Sequence, residues 1–183
     1  MVNTRDTRRL LLSLFILSAT VCSETTMGAN DNSDSYVQTG YAIAPVPLNL
    51  QGKNPALVGL GSYNVNTSGC HDCHTWGPNG NWAVGGNPFL GQPKVIDPAY
   101  YLAGGRSFGP GVVSANLTPD ENGLPAGLTL SEFISVFRTG RDPDNPARIL
   151  QAMPWPLLGQ MTDRDLESIY EYLRAIPSLP GNR

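Results

Sequence analysis

Two thiols and an imidazole lie within five consecutive residues, Cys70-His71-Asp72-Cys73-His74. This is the C-x-x-C-H pattern that is typical of c-type haem attachment. Two thiols separated by two residues reach the two vinyl groups on one edge of a porphyrin and form thioethers with them. The histidine that follows then lies under the iron and offers a ring nitrogen as the proximal ligand. The pattern therefore predicts one covalent haem, held by Cys70, Cys73 and His74.

Other uses of these side chains fit the pattern less well. A closed zinc site needs four ligands, and beyond residue 29 the chain offers only Cys70, Cys73, His71 and His74, crowded into one pentapeptide. A redox-active cysteine pair is typical of a helix start in an alternating strand–helix chain, and no such alternation is visible. His71 lies between the attachment cysteines on the proximal side, and we expect it to be solvated.

A ligand for the opposite face of the iron has to come from elsewhere, because no further histidine exists. Beyond residue 29 the chain has two methionines, Met153 and Met161. Met161 precedes a helix cap and is expected to pack on Leu166 as a hydrophobic staple. Met153 lies in a proline-flanked loop, and we predict that its thioether ligates the iron opposite His74. The alternative is that Met153 packs in the core without ligating.

Three main helices are predicted, over residues 54–68, 129–140 and 162–176. The first begins with Asn54 as N-cap followed by proline, a favourable pair at a helix start. The second and third begin with capping-box sequences, at Thr129 and Thr162. Between the first two helices, residues 75–127 are rich in Gly, Pro and Asn, which indicates a long loop. No alternating stretch indicates a strand, so an all-α fold with a cofactor-wrapping loop is expected.

The first 29 residues predict an export signal, with three arginines ahead of an apolar stretch over 10–21. That stretch is shorter than the roughly 20 residues that span a bilayer core, so we expect a cleaved leader and no transmembrane helix in the mature chain. The mature protein would then lie in a bacterial periplasm. An uncleaved anchor is one alternative. Acylation of Cys22 as a lipoprotein is another, although Val21 is larger than the residue that usually precedes such a cysteine.

The remaining sequence is organised as an irregular arm over 30–53 and one haem domain over 54–183, since no internal repeat is visible. The formal net charge is −3 and the only lysines are Lys53 and Lys94. Because no basic stripe exists, nucleic-acid binding is excluded as an expected function. Membrane association is expected only through a partner protein.

The motif and several short segments together resemble class I cytochromes c, and within them the haem domains of cytochrome subunits of bacterial membrane-bound dehydrogenases. The resemblance spans roughly residues 54–180. Besides the haem motif it rests on residues 61–63, 104–106, 116–120, 153–154 and 161–173. It implies a compact cytochrome c fold of about three main helices with long haem-wrapping loops, and His74 and Met153 as axial ligands. Those subunits commonly carry several haem domains, whereas this chain has one haem motif.

A haem iron with both axial positions filled exchanges electrons and binds no substrate, so the sequence predicts an electron carrier rather than an enzyme. The redox partner is expected to be a protein such as a dehydrogenase or a terminal oxidase. One alternative is a haem subunit that accepts electrons from a partner dehydrogenase. Another is an enzyme or gas sensor with an open iron, although a distal acid–base histidine is missing.

Groups around the haem are predicted from residue type alone. The ring N–H of a ligand histidine usually donates to a carbonyl or carboxylate, and the carbonyl of Pro78 or Pro88 is the candidate acceptor here. Donors to the haem propionates are sought among residues with side-chain N–H groups. The candidates are Trp82, Arg106, Asn116 and Trp155.

Overall fold

The computed structural model describes residues 29–181. Six α-helices follow one another in this part of the chain, with a 3-10 turn between the third and the fourth. Their bounds are α1 Ala29–Ile43, α2 Pro55–Thr67, α3 Cys70–His74, the 3-10 turn Pro88–Leu90, α4 Leu130–Thr139, α5 Trp155–Leu158 and α6 Asp163–Ala175. Between residues 29 and 181 there are only isolated β-bridges and no sheet. The prediction of an all-α protein is therefore confirmed at the level of secondary structure.

The three predicted helices are present as α2, α4 and α6, and their caps form as the sequence indicates. The Asn54 side chain accepts hydrogen bonds from the first amides of α2. Thr129 and Thr162 each form a complete capping box, with Glu132 and Asp165 respectively. These caps satisfy amides that a helix start leaves without partners, which is why short polar patterns predict them well.

Helix α1 corrects the expectation of an irregular arm over 30–53, because only residues 44–53 are irregular. The α1 sequence has few apolar residues, and tertiary packing on α2 rather than periodicity supports the helix. The backbones approach closely where Gly59 of α2 faces α1, since a Cβ atom there would lie 2.7 Å from Val37 Cγ1. The hydroxyl of Ser62 donates to the carbonyl of Gly40 at 2.7 Å and ties the two helices together. The predicted leader lies outside the described residues except for Ala29, and so does Cys22.

The core lies where α2 crosses α6. Both helices supply fully buried apolar side chains to this crossing: Val58, Val65, Leu166, Ile169 and Leu173. Gly61 allows the crossing, because a Cβ atom at this position would collide with the Ser168 carbonyl oxygen. No helix between residues 29 and 181 is long and apolar enough to cross a membrane.

A buried polar cluster fastens the long loop to this crossing. The Tyr101 hydroxyl donates to Asn66 Oδ1 at 2.8 Å and lies 2.9 Å from the Tyr172 hydroxyl. Both tyrosines are almost fully buried, and burial raises their pKa above the ordinary value, so they remain neutral donors. The cluster joins three separate parts of the chain, and no local sequence pattern indicates it.

Replacing Gly61 with alanine is expected to lower the free energy of unfolding by about 2–4 kcal/mol, because the added methyl group forces α2 and α6 apart. Helix propensity alone would predict that alanine raises the free energy of unfolding by about 1 kcal/mol. The sign of the measured change therefore distinguishes the two effects. Urea denaturation measures the difference. Gly52→Ala is the matched control, since a Cβ atom at Gly52 has open space around it and only its φ of 68° is unfavourable. A loss no larger than that of the control contradicts a close helix crossing.

Candidate functional site

The two candidate attachment thiols lie on α3, a single helical turn that begins after Gly69. Cys70 and Cys73 are both partly buried, and neither forms a disulfide. Cys70 packs against the hydrophobic core, and this burial raises the pKa of its thiol to about 12. A redox-active cysteine pair requires a lowered thiol pKa, so the environment of Cys70 weighs against that use.

The proximal ligand candidate His74 is oriented by a single hydrogen bond. Its Nδ1 lies 2.7 Å from the carbonyl oxygen of Ala115. A carbonyl only accepts, so Nδ1 carries the hydrogen and Nε2 keeps its lone pair. Burial lowers the pKa of His74 and outweighs the opposite effect of the Ala115 carbonyl. The imidazole is therefore neutral at neutral pH and has the tautomer that a metal ion requires at Nε2.

The prediction that Pro78 or Pro88 supplies this carbonyl is wrong. The chain reaches His74 from further along the loop, because it reverses direction over residues 108–112, where the Phe108 amide donates to the Val112 carbonyl at 2.8 Å. The amide of Gly104 donates to the His74 carbonyl at 2.7 Å. Gly104 has a φ of 74°, and a Cβ atom there would lie 2.5 Å from the carbonyl oxygen of Ser114. A glycine is therefore required at position 104 for the returning segment, which carries Ala115, to pass this close.

His71 also differs from expectation, because its side chain is buried and only 4% exposed rather than solvated. The α3 turn directs it against Trp82, with ring centroids 6.3 Å apart in an edge-to-face arrangement. Its Nδ1 lies 3.3 Å from Asp72 Oδ1, and it makes no hydrogen bond with the residues between 29 and 181. Burial lowers the pKa of His71 more strongly than Asp72 raises it, so the ring is neutral at neutral pH.

The four candidate propionate donors lie in different places; Trp82 contacts α3 through the His71 ring, and Arg106 contacts it through a hydrogen bond. Its Nη1 donates to the Asp72 carbonyl at 2.7 Å, and its guanidinium stacks between the rings of Trp76 and Phe108. The Nε1 of Trp155 donates to Leu150, and the Nδ2 of Asn116 donates to Leu179. Trp82 packs between two other rings. Within residues 29–181 the guanidinium of Arg106 makes one hydrogen bond and keeps further N–H groups available, so Arg106 is the strongest of the four candidates.

Met153 and Met161 are both partly buried at the edge of the core. The carbonyl of Met161 accepts a hydrogen bond from Arg138 at 2.7 Å, and its amide donates to Leu158. Met153 lies two residues before the start of α5, and its carbonyl accepts a hydrogen bond from the Trp155 amide at 2.8 Å. Ligation of iron by Met153 stays a prediction.

The loop that carries Met153 is fastened by an ion pair that the sequence analysis missed. Arg148 Nε donates to Asp142 Oδ2 at 2.7 Å, and the Asp144 amide donates to Asp142 Oδ1 at 2.9 Å. The Asp142 carboxylate is 5% exposed. Burial raises the pKa of Asp142, but the guanidinium of Arg148 and the amide donors outweigh it, so the pKa is lowered overall. The carboxylate therefore remains charged and closes the loop between α4 and Met153.

Asp142→Asn is expected to lower the free energy of unfolding by about 1–3 kcal/mol at pH 7, because it removes a buried charge from a hydrogen-bonded pair. A carboxyl group whose pKa is lowered on folding stabilises the protein above its unfolded pKa, about 4, and that stability is lost as pH falls. The difference between wild type and variant should therefore begin to shrink as the pH falls below about 4 and should close only below the pKa of Asp142 in the folded protein. Denaturant titrations at pH 7 and pH 3 measure this convergence. Asp144→Asn, at an exposed position, is the control. If Asp142→Asn loses the same free energy of unfolding at both pH values, the charged pair is contradicted.

The chemistry of the donor set fits a covalently attached haem. Two thiols lie on one helical turn, and the neutral imidazole that follows them has its Nε2 lone pair available. Between residues 29 and 181 no cluster of three or more His, Cys, Asp or Glu side chains could hold a metal ion by itself. A porphyrin would supply the four in-plane ligands that the chain does not.

Comparisons with known proteins agree with this fit. The chain is 29% identical over 123 residues to the cytochrome c subunit of an alcohol dehydrogenase (quinone) from Gluconobacter oxydans (strain 621H), covering 67% of this chain. It is similar to cytochrome c subunits of dehydrogenases. The identity is 27% over 116 residues to a fructose dehydrogenase cytochrome subunit from Gluconobacter japonicus, covering 63% of this chain. It is 27% over 119 residues to a gluconate 2-dehydrogenase cytochrome c subunit from Pantoea cypripedii, covering 65% of this chain.

These similarities confirm the resemblance to dehydrogenase cytochrome subunits. The alignments cover only 22%, 20% and 23% of the three relatives, so this chain matches less than a quarter of each relative's length. No family model matches the chain, and no solved structure matches it.

Proposed function

We propose that this chain carries one haem c, attached through Cys70 and Cys73 and ligated by His74 and Met153, and that it passes single electrons between proteins. The haem supplies the change of iron valence. The chain binds the haem covalently and holds the two axial ligands in place. The chain also packs Cys70 and His71 of the attachment turn into the protein.

The observation that carries the proposal is the hydrogen bond between His74 Nδ1 and the Ala115 carbonyl. This bond orients the ring and selects the tautomer with a free Nε2 lone pair. A histidine with only a structural role has no need of that lone pair, whereas an iron ligand does. The electron density that the carbonyl places on the ring also makes Nε2 a better donor to iron.

The relatives and the predicted leader support a proposal for the partner and the location. The relatives are cytochrome c subunits of dehydrogenases, so we propose a dehydrogenase as the electron donor. The export signal predicted in the first 29 residues supports a periplasmic site. The sequence has one haem motif, so we propose that it supplies one haem centre between such a dehydrogenase and its acceptor.

Absorption spectroscopy of the purified holoprotein tests this function. A haem c protein with His/Met ligation shows sharp visible bands on reduction and binds no carbon monoxide at neutral pH. Rapid carbon monoxide binding by the reduced wild type would show an open iron instead and would favour a gas sensor or an enzyme. A protein isolated without haem after co-expression with haem-attachment machinery would contradict the proposal altogether.

A further inference from the structure

Four large apolar side chains are exposed on one short loop that follows the attachment turn. The fractional exposures are 89% for Val84, 87% for Phe89, 71% for Leu90 and 46% for Val95. Hydrogen bonds close this loop, since the Ala83 amide donates to the Val95 carbonyl at 3.0 Å. We call residues 83–95 the apolar loop. Exposed apolar side chains grouped in this way indicate an interaction surface.

Aromatic contacts connect the apolar loop to α3. The rings of Phe89 and Trp82 lie 6.3 Å apart, and the rings of Trp82 and His71 lie 6.3 Å apart, both edge to face. His71 stands between the two attachment cysteines. A protein seated on Phe89 is therefore separated from the attachment turn by two side chains.

Charge on the apolar loop favours an acidic partner. Lys94 is the only charged residue among residues 83–95, and it is exposed. In the rest of residues 29–181 acidic residues outnumber basic ones. An acidic partner is therefore attracted by Lys94 and repelled by the acidic excess elsewhere.

The size of the surface indicates the kind of complex. The four side chains expose on the order of 500 Å², which is below the about 800 Å² per partner of a stable interface. Small interfaces of this size are typical of transient redox encounters. A permanent dimer would need a larger face.

We propose that the apolar loop docks a redox protein whose contact surface is apolar and rimmed by carboxylates. This inference rests on the proposed electron-transfer function. At each encounter one electron crosses between the haem held on α3 and the partner's own one-electron cofactor, so that one is oxidised as the other is reduced. No proton and no bond changes place. Lys94 orients the encounter, and Phe89 and Leu90 provide its contact.

A gold electrode coated with a mixed monolayer of methyl-terminated and carboxylate-terminated alkanethiols serves as the probe. Voltammetry of the holoprotein measures the adsorbed amount, the electron-exchange rate and the midpoint potential. Leu90→Ser is expected to reduce the adsorbed amount and the exchange rate by about tenfold, because a leucine contact is lost from the encounter. Lys94→Gln is expected to weaken adsorption at low salt and to have no effect at high salt. The midpoint potential should stay unchanged in both.

Leu157→Ser is the matched control, because Leu157 is 73% exposed, almost the same as Leu90, and lies on α5. An unchanged rate in Leu90→Ser, or an equal loss in Leu157→Ser, overturns the docking face while leaving electron transfer intact. Binding of the wild type to phosphatidylglycerol vesicles that is lost in Leu90→Ser assigns the loop to a membrane surface and also overturns it. Absence of any reversible redox signal from the wild type in solution refutes the proposed function itself.

Discussion

The double variant Cys70→Ala/Cys73→Ala is expected to retain no covalent haem, whereas each single variant keeps at most one thioether. The two thiols lie on one helical turn, and no other cysteine is present between residues 29 and 181. Loss of both therefore removes every attachment point in the described chain. Haem staining after denaturing electrophoresis gives the readout, and intact mass measures one added haem in the wild type and none in the double variant.

His71→Ala is the control for this experiment, because it changes the same turn without removing a thiol or the ligand His74. It should retain covalent haem in full. It should lose stability, since the His71 ring fills a buried position against Trp82. Undiminished haem staining in the double cysteine variant would refute attachment through this motif.

Met153→Ala is expected to open the iron and lower its reduction potential by on the order of a hundred millivolts or more, because a soft thioether stabilises ferrous iron. The oxidised wild type should show the weak charge-transfer band of sulfur–iron bonding at the red edge of the visible. That band should disappear in the variant, and the reduced variant should bind carbon monoxide. Spectroscopy and potentiometric titration measure all three changes.

Met161→Ala provides the comparison. The backbone of Met161 is held on both sides, by Arg138 and by Leu158, and this anchoring does not depend on its sulfur. The variant should keep the band and lose at most a few kcal/mol of stability, as expected for a large-to-small change at a partly buried site. If the band survives in Met153→Ala and disappears in Met161→Ala, then Met161 is the iron ligand and the assignment of Met153 is wrong.

The features that local chemistry determines could be predicted from the sequence. Asn54, Thr129 and Thr162 begin helices because each side chain satisfies amides within the next three residues, so the information lies in adjacent positions. The haem motif is local in the same sense, because its thiols and imidazole act within one turn.

The features that depend on the path of the loop could not be predicted. The acceptor for His74 is 41 residues away, and which carbonyl arrives depends on where the chain reverses, over residues 108–112. The burial of His71 likewise depends on how the later loop places Trp82. The ion pair of Asp142 and Arg148 spans a loop whose closure no short pattern indicates. In each case the two residues come together only in the tertiary structure. Their residue types alone are compatible with several partners.

The contact between α1 and α2 sets the border of the autonomous folding unit. A recombinant fragment that begins at Asn54 would contain the whole haem motif and all three predicted helices. It would nevertheless leave the Ser62 hydroxyl without the Gly40 carbonyl and expose the glycine face of α2 to water. A buried hydroxyl deprived of its acceptor costs about 1–3 kcal/mol, a large part of the stability of a small domain. Fragments cut at the first cap are therefore marginal, and those that keep α1 are the ones that retain a closed core.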